Sequence, residues 1–291
     1  MTDVDLLVAG AGGGLAGALR AADLGASVLL VDASEHFRRG NNTSMSTAMF
    51  PGAGSRWQRA EGIEDSPETF SADIMKKTKG SADRLMVKTL TEVSAELVEW
   101  MADAQGVELS LVTNFHYPGH SVDRCHTIEG RKGDRVLQHL LSRVDSHDSI
   151  EMLVPTRLVE IHTDGDDLVA HLEKPDGSRE EVSATSILMA TNGFGANKDM
   201  VARYLPEITS AVYHGSDASL GDALRIGESF GASGAYLDAY QGHAAIAVHG
   251  ATLAGWATIM HGGIMVNTHG ERFGNETCGY SEYAAMLAAQ P

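Results

Sequence analysis

Apolar and polar positions alternate in blocks along the first thirty-two residues, and the blocks predict a βαβ unit. Leu6-Leu7-Val8-Ala9 forms one apolar run, Gly10-Ala11-Gly12-Gly13-Gly14 breaks it, and an Ala/Leu-rich stretch ends at Gly25. Val28 to Val31 is a second apolar run that closes on Asp32. Strand, glycine loop, helix and strand follow in the order and length of about thirty residues that such a unit needs. Ser66-Pro67-Glu68 predicts a helix start, with serine as cap and proline in the first turn. Leu90, Val93, Leu97 and Met101 recur with helical spacing, so an amphipathic helix is expected from about residue 81 to 104, ended near Gly106 and packed through that stripe.

From Met152 the period changes to two. MLVPTRLVEIHT, a turn at Asp164-Gly165, LVAHLEK, a turn at Pro175-Asp176-Gly177 and a strand leading into SILMATNGF predict a β-meander returning to a buried strand. Helices are expected around Lys198 to Leu205 and Asp222 to Gly231. A Gly/His-rich stretch runs from Gly242 to Gly263, and SEYAAMLAAQP reads as the beginning of a helix rather than the end of a domain.

Composition narrows the function classes. The chain has 291 residues, 43 % apolar content and only 7 prolines, enough for a sizeable core. Its 32 glycines cluster at strand ends, where tight turns and close backbone approaches use them. A formal net charge of -17 argues against nucleic acid or an anionic membrane as partner, since both repel a polyanion. Two cysteines, Cys125 and Cys278, lack CxxC spacing and fit a reduced compartment. No basic n-region precedes the first apolar run and no run reaches transmembrane length, so a cytoplasmic location is expected. The thirteen histidines include no HExxH, and Cys125-His126 has no second cysteine nearby, so no metal site is expected.

The glycine loop lies between strand and helix, where absent side chains let backbone N–H groups and the helix N-terminus approach a pyrophosphate. Asp32, twenty residues beyond Gly12, is placed to accept hydrogen bonds from a ribose diol. Strict GxGxxG spacing puts Leu15 at the third position, so either Gly14 takes that role in a shorter loop or the frame is Gly12, Gly14, Gly17. The continuation separates NAD from FAD. A further βα unit would suit NAD, whereas GNNTSMSTAMFPGAG is irregular and rich in short donors and acceptors, which suit a loop wrapped along a diphosphate and an isoalloxazine edge.

Several motifs together resemble the flavoprotein superfamily of fumarate reductase, succinate dehydrogenase and 3-ketosteroid Δ1-dehydrogenase. They are the glycine loop, Asp32, Gly40-Asn41-Asn42-Thr43 with Ser46, GIEDSPETF, Gly119-His120-Ser121-Val122-Asp123-Arg124, Ala190-Thr191-Asn192-Gly193-Phe194, Gly221-Asp222, and Val266-Asn267 through Arg272-Phe273-Gly274-Asn275-Glu276. The resemblance implies an α/β fold: a Rossmann-like FAD-binding domain with a β-meander over residues 1–241, then the start of an α+β substrate-capping domain over 242–291. It implies FAD as cofactor. Gly10, Gly12 and Gly14 would serve the pyrophosphate, Asp32 the adenosine ribose, and Asn42, Thr43, Ser46 and Thr47 the pyrophosphate and flavin. Thr191, Asn192, Gly193 and Asp222 would also lie near FAD. His243 falls where fumarate reductases keep a substrate-binding histidine.

Departures from the reductase pattern bear on substrate. A dicarboxylate needs cationic clamps and, in these enzymes, an arginine as proton donor. Here NETCGYSEYA puts Tyr280 at that place, and AVHGATLAGWATIM has no match for the Thr-Glu pair that follows the histidine. Ketosteroid dehydrogenases are similar in carrying a tyrosine there, as the base that takes a proton α to a ketone. A phenol ordinarily ionises near pH 10, so such a base needs a supporting donor, for which Tyr117 is the candidate. The expectation is an FAD-dependent dehydrogenase of CH–CH bonds next to a ketone in an apolar, steroid-like substrate. The alternatives are a fumarate-reductase-like enoate reductase and a non-catalytic FAD-binding subunit. Because the family's chains continue beyond this point, the expectation includes a fragment, or one half of a split flavoenzyme completed by a second polypeptide across an apolar interface.

Overall fold

The computed structural model describes residues 2–247, 249 and 252–290. In chain order the elements are β1 (Thr2–Ala9), α1 (Gly14–Asp23), β2 (Val28–Val31), α2 (Asn42–Met45), β3 (Phe50–Pro51), α3 (Arg56–Ala60), α4 (Pro67–Lys77), α5 (Arg84–Asp103), β4 (Ser110–Leu111), β5 (Cys125–Thr127) and α6 (Gly133–Asp145). There follow β6 (Ile150–Leu153), β7 (Arg157–Asp164), β8 (Asp167–Glu173), β9 (Arg179–Met189), α7 (Lys198–Tyr204), α8 (Asp222–Ser229), β10 (Ile246–Ala247), β11 (Thr252–Leu253), α9 (Ala257–Met260) and α10 (Tyr280–Ala288).

They form two compact units, residues 1–48 with 130–239 and residues 49–129 with 240–291. The segment 49–129, expected in the flavin domain, groups instead with the C-terminal residues. Lys77, at the end of α4, donates to the Cys278 carbonyl at 3.2 Å and pairs with Glu282 in the first turn of α10, which ties those two segments together.

The first unit is built on a six-stranded sheet in the order β6-β2-β1-β9-β8-β7. β6, β2, β1 and β9 are parallel, and β8 and β7 continue antiparallel as the meander. All four residues of β2 are buried, as a strand covered on both faces requires. Leu7, Leu29, Leu158, Ala170, Leu172 and Val182 belong to one core cluster that spans the parallel and antiparallel halves. Helix α1 lies close against this sheet, because a Cβ at Gly14 would come 2.7 Å from Val8 and one at Gly17 would come 2.4 Å from Leu188. Gly14 and Gly17 thus both serve close helix–strand packing, while the tight turn belongs to Gly10.

The second unit holds a small antiparallel sheet, β3-β5-β4, beside α4 and α5. Two of the motifs that carry the family resemblance meet here. The Arg124 guanidinium, fully buried, binds Asp65 through Nε at 2.9 Å and Nη2 at 3.0 Å, and Asp73 through Nη1 at 2.6 Å, with the Phe70 ring 4.6 Å from its centre. Burial by itself would raise Asp73, but the Ser121 N–H and Arg124 hydrogen bonds outweigh it and hold that carboxyl below its ordinary range. GIEDSPETF and GHSVDR are therefore the two halves of one buried ion network.

Helix α5 differs from its expected orientation. It forms where the period predicts, capped by Asp83 through the Met86 N–H. Its buried residues, however, are Val87, Thr91, Ser94, Val98 and Met101. Leu90, Val93 and Leu97 are 54 %, 44 % and 37 % exposed, so packing does not account for the stripe they form. Small hydroxyl side chains occupy the inward face because the contact there is close: Ser94 Oγ accepts from the Ala53 N–H at 3.0 Å, and Gly52 sits against Val98 and the Ser94 carbonyl.

Candidate functional site

A cavity of about 390 Å³ opens in the first unit where the glycine loop, the end of β2, α2 and the end of β9 converge. That volume falls in the range of small-molecule sites, roughly 300–1,000 Å³. The local sequence builds its wall from backbone. Gly10 has φ of +113°, and a Cβ there would come 2.2 Å from the Ala190 carbonyl oxygen, so only glycine fits the turn. Asp32 holds the loop, its Oδ2 accepting from the Ala11 N–H at 2.7 Å and its Oδ1 from the Ser34 N–H at 2.9 Å. An ionised carboxylate has about four acceptor positions, so each oxygen retains capacity for a further donor.

The irregular run after Arg39 is a capped turn. Asn41 accepts from the Ser44 N–H at 2.8 Å and donates to the Phe37 carbonyl at 2.9 Å. This turn is clamped by α6, whose Gly133 N–H donates to the Ser46 carbonyl at 2.9 Å; a Cβ on Gly133 would lie 1.9 Å from the Thr43 carbonyl oxygen. Asn42 Oδ1 accepts from the Ser216 N–H at 2.9 Å, which brings the turn at residues 216–219 into the wall.

Of the expected cofactor residues, Gly10, Gly12, Asp32, Asn42, Thr43, Thr191, Asn192 and Asp222 line this cavity. Gly14, Ser46, Thr47 and Gly193 do not border it. Gly14 is taken up by packing on Val8, Ser46 Oγ bonds to the Thr43 carbonyl at 2.8 Å, Thr47 is exposed, and the Gly193 carbonyl accepts from the Gly221 N–H at 3.1 Å. Sequence reasoning missed Arg157, Thr156 and Ser216. Arg157 pairs with Asp222 in the wall, and the Thr156 N–H donates to the Asp32 carbonyl at 2.7 Å. The available signal was the Thr-Arg step at the entry to β7.

The second unit holds the expected catalytic residues. Tyr280 is the first residue of α10, after Gly279 at φ +105°. Gln241 Nε2 donates to the Tyr280 hydroxyl at 2.5 Å. The His243 ring stacks on Tyr280 at 5.2 Å and 26°, and Trp256 meets it edge-on at 6.4 Å. His243 Nδ1 accepts from the Ala245 N–H at 3.3 Å, which places the proton of a neutral ring on Nε2. Tyr117 packs on Phe115 at 5.0 Å and His120 at 6.2 Å. The supporting donor expected from the sequence was Tyr117; the donor to the Tyr280 oxygen in the structure is Gln241, thirty-nine residues away from Tyr280.

A family model described as an FAD binding domain matches residues 5–291. The chain belongs to that family. It lies within the fumarate reductase and succinate dehydrogenase flavoprotein superfamily, and its cofactor is FAD. The NADH:fumarate oxidoreductase of Klebsiella pneumoniae (strain 342) is 32 % identical over 99 % of this chain and 31 % of its own length. The open conformation of a flavocytochrome c3 fumarate reductase superposes with a TM-score of 0.84 at 28 % identity, over 100 % of this chain and 51 % of that one. The 3-ketosteroid Δ1-dehydrogenase of Sterolibacterium denitrificans shares the fold, with a TM-score of 0.77 at 18 % identity over 99 % of this chain and 66 % of that one. The chain thus spans about a third to two thirds of the length of these proteins.

The cavity fits FAD on its own chemistry. Glycine backbone faces a space in which a diphosphate finds N–H donors, Asp32 offers acceptors for a diol, and Asn42 and Thr43 supply short polar groups. Thr191, also in the wall, has a buried Oγ1 with no hydrogen-bond partner in the protein. Among the described residues no helix is long and apolar enough to cross a membrane.

Proposed function

We propose that this chain carries the FAD site and the proton-transfer tyrosine of an FAD-dependent oxidoreductase that acts on a CH–CH bond next to a ketone in an apolar substrate. In this reading Asp32 binds the adenosine ribose, the Gly10–Gly14 loop with Asn42 and Thr43 binds the diphosphate, and Thr191, Asn192 and Asp222 line the remainder. Ser46 and Gly193 act through the turns they hold, and Thr47 through its position beside them. FAD supplies the acceptor for a hydride from the β carbon. The Tyr280 oxygen takes the proton from the α carbon, so that a carbon–carbon double bond forms. Gln241, by donating to that oxygen, stabilises the phenolate that must be present before it can take the proton. His243 Nε2–H is a donor suited to a carbonyl oxygen, and Tyr117 extends the aromatic lining near Gly279, against which Pro118 lies.

The observation that carries this reading is the Gln241–Tyr280 hydrogen bond, with a stacked histidine beside it, in the place where a dicarboxylate would require cationic clamps. A second reading, reduction of a double bond conjugated to a carboxylate, is supported by the identity to the fumarate oxidoreductase. We also include a further polypeptide. It is supported by the open side of β9: residues 186–189 pair with β1 but lie beyond the last residue paired with β8, and Leu188 in that stretch is 37 % exposed. Unpaired strand edges of this kind recruit another strand.

Anaerobic spectrophotometry of the native, FAD-loaded particle is the test. Bleaching by a cyclic ketone, lost in Y280F, is the expected result. Reoxidation of reduced flavin by an unsaturated acid, with no bleaching by ketones, would establish the second reading; no response to either class would leave a non-catalytic FAD subunit.

A further inference from the structure

The meander brings two histidines together on the face opposite Ile161, Ala170 and Leu172. His171 Nε2 and His162 Nδ1 lie 3.0 Å apart, with ring centroids 4.9 Å apart and planes inclined by 36°. Both sit on paired strands of one hairpin, His162 opposite Val169 and His171 opposite Glu160, so their spacing is set by the backbone ladder. On the other side of His171, Glu181 of β9 is its direct partner in register, and Glu181 Oε1 is 3.6 Å from His171 Nδ1.

We propose that His162 and His171 form a two-nitrogen chelate for a divalent transition-metal ion of the copper(II) or nickel(II) class. Two imidazole nitrogens bound at about 2.0–2.1 Å in cis positions of a square-planar or octahedral ion are about 2.9 Å apart, whereas a tetrahedral zinc ion separates them by about 3.4 Å. The observed 3.0 Å matches the cis arrangement without movement of the strands. The Glu181 carboxylate favours the His171 tautomer with its proton on Nδ1, which leaves the Nε2 lone pair for the ion, the outer-shell role that carboxylates play beside metal-bound histidines. The ion takes the place of the proton shared between the rings. The His162 proton moves to Nε2, both rings stay neutral, and no proton is lost.

Among the described residues no group of three His, Cys, Asp or Glu side chains is arranged to hold an ion, so water completes the coordination. The pair escapes a search for helical or HExxH spacing because its members are nine residues apart in sequence and meet only through hairpin register.

The test is a copper(II) titration of the full chain in a non-chelating buffer, followed by calorimetry and electron paramagnetic resonance. Wild type is expected to bind one equivalent more than H162Q or H171Q, with a two-nitrogen signature missing from both variants. E181Q is expected to bind that equivalent about 10-fold more weakly. H269Q, at an exposed histidine elsewhere, keeps the site. Hydrogen exchange gives an independent readout on unmodified protein: copper slows the amides of residues 157–173. Equal titration of wild type and either meander variant, equal loss in H269Q, or no change in exchange over 157–173 would overturn the proposal.

Discussion

The cavity of the first unit and the tyrosine cluster of the second are made of different material. The first is a backbone construction, in which Gly10 adopts a left-handed turn, Asp32 pins the Ala11 amide and Asn41 caps a short turn, so its shape depends little on rotamers. The second is a side-chain construction, with an amide, an imidazole and a phenol meeting at one oxygen and one ring face. Backbone sites write themselves into sequence, because glycines and capping residues are the few types that tolerate the geometry. Side-chain sites do not, because many residue types could stand where Gln241 stands.

This contrast predicts which substitutions remove the cofactor and which spare it. The largest effect is expected from Gly10→Ala. The new methyl meets a carbonyl oxygen at 2.2 Å in a φ region L-residues rarely adopt, which costs more than about 2 kcal/mol. The protein should purify without stoichiometric FAD, as absorbance at 450 nm will report. Tyr280→Phe should do the reverse, keeping FAD and melting temperature while turnover falls roughly 10²-fold or more. Gln241→Leu should cost about tenfold in turnover, with Tyr280 present but its oxygen unsupported. Loss of FAD from either second-unit variant would break the distinction.

A smaller effect concerns acid. Arg272 hydrogen-bonds Glu276, and with the Met265 N–H it holds the Glu276 carboxyl down from 4.5 to about 2. A carboxyl lowered on folding adds stability above its unfolded pKa and loses it as pH falls through the folded value. The urea midpoint should therefore drop between about pH 4.5 and pH 2, and Glu276→Gln should flatten that part of the profile. The ion pair is a side-chain device, so FAD affinity at neutral pH should be unchanged.

How far the sequence could be read follows the same division. The βαβ unit and the meander with its two turns were legible, and so was the convergence of the glycine loop, Asp32 and the 42–43 turn on one cavity, because glycine spacing, period-two alternation and turn residues are local signals. Arg157 and the 216–219 turn were not, since they reach the cavity wall by tertiary convergence. The grouping of residues 49–129 with the C-terminal segment was equally invisible, resting on contacts such as Lys77 with Cys278 across two hundred residues. The buried Arg124 network stood in plain sight as two motifs whose shared purpose only burial explains.

Helix α5 is where a strong local signal pointed the wrong way, and it yields the smallest predicted effect. Periodicity fixes that a helix forms and that apolar residues share a face; it does not fix which face turns inward. In α5 the inward face mixes Val87, Val98 and Met101 with Thr91 and Ser94, so its apolar pattern is interrupted by the hydroxyls that a close contact needs. The outward face carries the cleaner apolar stripe. Leu90→Ala should therefore change stability by no more than about 0.5 kcal/mol, as surface substitutions do. Val98→Ala, at a side chain with no exposure, should cost about 1–3 kcal/mol. Urea titrations of the two variants decide it: equal losses would mean that Leu90 is covered in solution, and a loss confined to Val98 would establish the hydroxyl-lined face as the one that packs.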